Sequence, residues 1–134
     1  MAGRLQEDDE IDDEVRMPTE SAQGWFFRVE NLPTREVLRG IHVRSVHLEN
    51  LMMTFIEYPA DTTVPAHYHP YEQITYVLDG VLEVTVAGEQ RTLRAGDGVC
   101  IRPNAEHASR PVDGPARVLD AWTPVPEHFK PDES

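Results

Sequence analysis

Short runs of strand-forming residues, separated by turn residues, fill most of this chain. The run QITYVL at 73–78 is β-branched and aromatic, and VLEVTV at 81–86 follows it closely. Such residues favour β-strands, in which successive side chains point to opposite faces of a sheet. The dipeptide Asp-Gly at 79–80 is typical of a tight hairpin turn. The pattern therefore predicts two strands joined directly at this dipeptide.

The rest of the chain shows the same kind of pattern. Its 11 Pro and 8 Gly break it into short elements and leave little room for helices. About eight to ten short strands at regular spacing predict an all-β sandwich or barrel. The further runs that favour strands lie at 25–30, 41–48, 51–58, 99–102 and 116–122.

Length and charge divide the chain into one domain and two tails. A chain of 134 residues is long enough for a single domain. Residues 1–20 contain eight acidic and two basic residues, which amounts to half of the net charge of −12. Such a run is typical of a solvated, disordered segment. We expect an acidic disordered tail at 1–22, one domain at 23–128 and a C-terminal tail at 129–134.

The strong negative charge also excludes whole classes of partner. Nucleic acids and anionic membrane surfaces would repel a chain with a net charge of −12. The first ten residues lack the apolar stretch of a secretory signal, and no apolar run approaches the roughly 18 residues of a membrane span. The single Cys100 excludes an intramolecular disulfide, and its apolar neighbours predict a small core residue. We expect a cytoplasmic protein without nucleic-acid or membrane partners.

Three histidines and a glutamine form the strongest candidate site. His67 and His69 are two positions apart, so an extended strand places both imidazoles on one face. Gln73 follows four residues later, and His107 belongs to a later hairpin. Imidazole and carboxamide groups are ligands for borderline divalent metals. Taken alone, the His-x-His pair fits independent surface or core histidines equally well.

Three further residues are candidates for acid–base chemistry or substrate binding. Asp120 and Trp122, in RVLDAW, share one face of a predicted strand. A carboxylate facing a barrel interior would be a candidate general base, whereas on an edge strand it would face solvent. Arg102 follows the run VCI and is a candidate for binding an anionic substrate, or else a solvated charge at a strand end.

The order of these residues resembles the two motifs of the cupin family. The first motif, G(x)5HxH(x)3–4E(x)6G, matches at His67, His69 and Gly80, with Gln73 in the place of Glu. The second, G(x)5PxG(x)2H(x)3N, matches at Gly96 and His107. The chain departs from the motifs at four more places. Asp61 and Asn104 stand at glycine positions, Arg102 at a proline position and Pro111 at the final asparagine position.

The resemblance covers roughly residues 41–122 and implies a fold, a cofactor and a partner. The fold is a double-stranded β-helix, the jelly-roll barrel of cupins. The resemblance implies one divalent transition metal (Fe, Mn, Ni, Zn, Co or Cu) held inside the barrel mouth by His67, His69, Gln73 and His107. It also implies a homodimer that acts on a small molecule.

Within the cupins, the segment from His69 to Asp97 and LDAWTP at 119–124 resemble the KdgF-type cupins of pectin and alginate breakdown. Those proteins open the ring of 4,5-unsaturated uronates. The resemblance implies that Asp120 is the acid or base and that Trp122 lines the substrate pocket. The tail motif of that group contains an arginine, and here its position falls on Pro126.

The neutral side chain of Gln73 bears on the type of reaction. Three neutral histidines and a neutral amide leave the full charge on a divalent metal, which favours Lewis-acid chemistry over oxidation to a trivalent state. Gln73 could instead orient a histidine without binding metal. The leading hypothesis is a metal-dependent lyase or isomerase. The alternatives are an Fe(II) or Ni(II) dioxygenase and a non-catalytic binding module for a small ligand.

Overall fold

Ten antiparallel strands form nearly all of the regular structure in the described part of the chain. The computed structural model describes residues 23–125, and within them the predicted all-β class is confirmed. No helix in this range is long and apolar enough to span a membrane. The strands are β1 (Arg35–Leu38), β2 (Ile41–His47), β3 (Met52–Tyr58), β4 (Val64–His67), β5 (Glu72–Asp79), β6 (Val81–Val86), β7 (Glu89–Arg94), β8 (Gly98–Ile101), β9 (His107–Pro111) and β10 (Ala116–Thr123).

The described residues fall into two units, divided after Pro33. The first unit contains a short 3₁₀ helix, Val29–Asn31, where the sequence favours a strand. Local hydrogen bonds from Asn31 N to Arg28 O and from Leu32 N to Val29 O close this turn, and such bonds replace strand pairing. The predicted tails at 1–22 and 129–134 lie outside the described residues, so they and the domain boundaries stay predictions.

The second unit contains both sheets of the jelly roll. Six strands pair in the order β1-β2-β3-β10-β5-β8, and four pair in the order β4-β9-β6-β7. The apolar side chains on the inner faces pack together because every second residue of a strand points the same way. This core consists of Ile41, Val43, Ile56, Tyr58, Val77, Leu82, Val84, Leu93, Ala116 and Val118.

The alternation of burial also corrects one prediction from the sequence. In β8, Ile101 is buried and Cys100 is exposed. The prediction that Cys100 is a core residue was therefore wrong. Its apolar neighbours belong to a strand of which only one face meets the core, and Cys100 lies on the other face.

The Asp-Gly turn at 79–80 does not form the predicted hairpin. β5 pairs with β10 on one side and β8 on the other, so it has no free edge for β6. The chain instead crosses at Gly80 into the other sheet, where β6 pairs with β7 and β9. A two-residue hairpin turn occurs later, at Ala87 and Gly88, where both residues have positive φ.

We predict that Gly80→Ala destabilises the protein far more than Gly88→Ala. Both glycines have a positive φ, 84° and 85°. Alanine is strained in this conformation, which lowers the free energy of unfolding of each variant by about 1–2 kcal/mol. A Cβ at position 88 meets nothing within 4 Å, whereas at position 80 it would collide with Pro115 O and lie 2.9 Å from Ala116 Cα. The collision adds about 1–3 kcal/mol.

Urea unfolding of both variants measures this difference, with Gly88→Ala as the matched control. Equal losses of the free energy of unfolding would contradict the close approach of the backbone at Gly80.

Candidate metal centre

Two strands of the smaller sheet bring three imidazoles together. β4 ends at His67 and β9 begins at His107, and the two residues lie directly opposite each other in the antiparallel pair. His69 follows two positions after His67. One possible ligand atom from each of the three side chains lies within 4.8 Å of the others. The structure thus brings together the three histidines that the sequence grouped, and they can hold a metal ion.

The hydrogen bonds of His67 and His107 leave one nitrogen of each ring ready to bind a metal. The Nδ1 atoms lie 2.8 Å from the carbonyl oxygens of Pro65 and Ala105 respectively. A carbonyl oxygen only accepts, so each Nδ1 carries the proton and each Nε2 presents a lone pair. A backbone acceptor on the second nitrogen is the usual arrangement for a metal-binding histidine.

His107 shows most directly that the site fits a cation. It is 6% exposed, and its Nε2 has no hydrogen-bond partner among the described residues. Burial lowers the pKa of His107, and the neighbouring imidazoles of His67 and His69 lower it further. The hydrogen bond to the Ala105 carbonyl acts in the opposite direction. The ring is thereby favoured in its neutral form, which is the form that binds metals.

Gln73 extends this group from the larger sheet. Its Oε1 lies 3.0 Å from His69 Nε2. Two ligands at right angles on one metal, each about 2.1 Å from it, are also roughly 3 Å apart. The distance therefore fits both roles considered for Gln73, a fourth ligand and a partner that orients His69.

Behind Gln73, a chain of buried hydrogen bonds leads to Asp120. Gln73 Nε2 donates to Thr75 Oγ1 at 2.9 Å, and Thr75 Oγ1 donates to Asp120 Oδ1 at 2.5 Å. Asp120 lies on β10, between β3 and β5, and is 3% exposed. Burial raises its pKa to about 7, while the hydrogen bonds from Thr75 and Gln73 act in the opposite direction. Asp120 is therefore an interior residue, not a solvent-facing residue of an edge strand.

The two predicted substrate-binding residues have different surroundings. Trp122 is 5% exposed, and its Nε1 donates to Thr54 Oγ1 at 2.9 Å. Its ring centroid lies 5.3 Å from that of His69, so it borders the histidine group. Arg102 follows the buried Ile101 and is itself exposed. Among the described residues, no contact joins the Arg102 side chain to this group, and its role in substrate binding stays a prediction.

Comparison with known families matches the model described as "Cupin domain" to residues 54–122. The chain belongs to the cupin family. The match begins on β3 and ends on β10, so it includes all four predicted metal ligands and Asp120. It also agrees with the two antiparallel sheets, so the predicted jelly-roll fold is confirmed.

Individual relatives support a small cupin of the KdgF type. The pectin degradation protein KdgF of Dickeya dadantii is 27% identical over 106 residues, covering 78% of this chain and 96% of that protein. The structure of KdgF from Halomonas sp. has a TM-score of 0.76 and 25% identity, and the match covers 81% of this chain and 100% of that one.

A further relative is similar over a shorter stretch. The polyketide synthase CurC of Streptomyces cyaneus is 41% identical over 64 residues, or 46% of this cupin. The matched stretch spans 42% of CurC, so this cupin resembles less than half of that relative.

Three polar residues in the interior of this cupin were not predicted from its sequence. Thr54 and Thr75 are buried on either side of Asp120, in register with it on β3 and β5. Tyr58 is buried on β3, with its hydroxyl 3.5 Å from Ser109 Oγ. Thr75 shares strand parity with Gln73, and this signal could have identified it. Thr54 and Tyr58 resemble ordinary strand residues until the sheet order is known.

We predict that the Tyr58 hydroxyl makes the stability of this cupin fall steeply in alkali. Burial raises the pKa of Tyr58 well above its usual value, and the charge of Asp120 raises it further. Above about pH 10 the unfolded chain releases this proton and the folded chain keeps it, so the stability decreases as the pH rises. Tyr58→Phe should remove this part of the decrease.

The measurement is urea unfolding of wild type and Tyr58→Phe at about pH 8 and about pH 11. A stability difference between the two proteins that is the same at both pH values would contradict the raised pKa.

Proposed function

We propose that this cupin is a metal-dependent lyase or isomerase that acts on a small substrate with two neighbouring oxygen atoms. One observation carries the proposal. The ligand atoms of three histidines lie within 4.8 Å of one another, while the Nδ1 protons of His67 and His107 are bound to backbone carbonyls. In this proposal His67, His69 and His107 hold one divalent transition metal through ring nitrogens, and the amide oxygen of Gln73 is the fourth ligand.

The donor set supports Lewis-acid chemistry. A divalent ion held by neutral donors supplies polarisation of a carbonyl or hydroxyl oxygen of the substrate. An anionic ligand in place of Gln73 would cancel part of that charge. Three neutral imidazoles and a neutral amide therefore favour ring opening, isomerisation or elimination over reactions that oxidise the metal.

Asp120 takes the acid–base role in this proposal. It lies on the inner face of β10 together with Trp122, and hydrogen bonds through Thr75 connect it to Gln73. A carboxyl group held inside the barrel can accept or return a proton at the substrate carbon next to a polarised oxygen. Trp122, whose ring lies 5.3 Å from that of His69, gives the substrate an apolar surface and excludes water.

The first candidate substrate is a 4,5-unsaturated uronate. It follows from the similarity to KdgF, a pectin degradation protein that matches 78% of this chain. One departure weighs against it. The arginine of the KdgF-type tail motif, which would suit the uronate carboxylate, falls on Pro126 here.

The second candidate substrate is a polyketide chain. The 41% identity over 64 residues with the polyketide synthase CurC favours it. A polyketide carries repeated carbonyl oxygens, so proton removal next to a polarised carbonyl would serve an intramolecular condensation. The same residues would act on either substrate.

Two functions of other classes stay as alternatives. Three histidines and one further ligand also suit an Fe(II) or Ni(II) dioxygenase. A binding module would hold a small ligand without turnover. The cytoplasmic location and the homodimer also stay predictions.

We predict that the protein contains close to one metal per chain. Mass spectrometry on protein purified without chelators or metal-affinity steps measures it. The double variant His67→Ala/His69→Ala should lose the metal because two of three imidazole ligands are absent. His42→Ala is the matched control, since His42 is exposed and outside the histidine group. Wild type without metal, and without uptake on reconstitution, would exclude both enzyme hypotheses.

We predict turnover without oxygen consumption. An unsaturated uronate and a polyketide thioester are supplied separately, and product formation and dissolved oxygen are recorded together. At equal metal loading, Asp120→Asn should lower kcat by about 10²–10⁴-fold, the usual contribution of a general acid or base. Oxygen uptake that depends on substrate would support the dioxygenase. Saturable binding without turnover, unchanged by Asp120→Asn, would support the binding module.

A further inference from the structure

A continuous row of buried side chains links the histidine group to Asp120. Along it, His69 Nε2 lies 3.0 Å from Gln73 Oε1, Gln73 Nε2 lies 2.9 Å from Thr75 Oγ1, and Thr75 Oγ1 lies 2.5 Å from Asp120 Oδ1. Gln73, Thr75 and Asp120 are all buried. Each hydrogen bond in the row has a donor and an acceptor, and the atom that carries the proton is the donor.

The direction is set at the Asp120 end. In its ionised form Asp120 only accepts hydrogen bonds, so the single hydroxyl proton of Thr75 is donated to Asp120 Oδ1. Thr75 Oγ1 then has only lone pairs to offer, and it must accept from Gln73. The amide therefore turns its NH₂ group towards Thr75 and Asp120, with which Gln73 also hydrogen-bonds. The amide oxygen is left facing His69.

From this geometry we infer that Thr75 is a positioning residue that fixes the amide of Gln73 with its oxygen towards the three histidines. The inference rests on the proposed metal site and extends it to a residue that does not itself bind the metal. The opposite orientation would point two N–H protons at the position of a cation, and an amide nitrogen has no lone pair to offer. Thr75 thus selects a metal-binding orientation over a repulsive one.

The row provides its own matched control. Thr54 and Thr75 are the register partners of Asp120 on β3 and β5, and both are buried. Thr54 Oγ1 accepts from Trp122 Nε1 and makes no bond to Gln73 in the described contacts. Thr54→Val and Thr75→Val therefore remove the same hydroxyl group from equivalent positions. Thr75→Ser keeps the hydroxyl and should rescue its function.

The first test is the tautomer of His69 in the metal-free protein, read by long-range ¹H–¹⁵N correlation with the imidazoles neutral. Wild type, Thr75→Ser and Thr54→Val should carry the proton on Nε2, because the Gln73 oxygen accepts it. Thr75→Val should show both tautomers, since an amide held only by Asp120 can also turn over and donate to Nε2. The wild-type measurement needs no variant, and an Nδ1–H tautomer there would overturn the proposed orientation.

The second test is metal affinity by calorimetry, with Ni²⁺ and Zn²⁺ as probes. Thr75→Val should bind about 10–100-fold more weakly, the usual effect of removing a group that orients a ligand. Thr75→Ser and Thr54→Val should stay close to wild type. A Thr75→Val protein with a single Nε2–H tautomer and unchanged affinity would overturn the role of Thr75. An Nε2–H tautomer in a wild type that binds no metal would exclude the metal site and support the orientation.

Discussion

Burial of the Asp120 carboxylate is the constraint on which the site depends. A carboxylate inside a barrel costs several kcal/mol unless hydrogen bonds compensate for the lost water. The protein meets this cost with the hydroxyl of Thr75 and the amide NH₂ of Gln73. Both donors are thereby committed, and the amide oxygen faces His69 as a consequence. The same hydrogen bonds that stabilise the buried carboxylate also orient the proposed metal ligand Gln73.

The central strands divide into an apolar end and a polar end. On β10, Ala116 and Val118 belong to the hydrophobic core, whereas Trp122 borders the histidine group and Asp120 is connected to it through Thr75 and Gln73. β5 shows the same division, from Gln73 and Thr75 to Val77. The inner face of these strands thus forms the hydrophobic core at one end and the candidate site at the other. Packing of the apolar end fixes the position of the polar side chains.

Backbone conformation explains two of the departures from the cupin motifs. Asp61 and Asn104 stand at motif positions for glycine, and their φ angles are 66° and 67°. Glycine suits such positions because it has no Cβ, and Asp and Asn tolerate this conformation better than other residues. The Asn104 turn also holds the site, since Asn104 N donates to His69 O at 2.7 Å. The motif requires a left-handed turn more than it requires glycine itself.

The sequence by itself determined the strand-rich class, most strand positions and the group of His67, His69, Gln73 and His107. These features depend on spacing along the chain, where two-residue periodicity and turn residues act locally. Only the tertiary structure decided which strands pair. Asp-Gly at 79–80 looked like a hairpin, but both edges of β5 are taken by β10 and β8. The role of Thr75 was likewise not visible, because its partner Asp120 is 45 residues away along the chain. Only sheet pairing makes them neighbours.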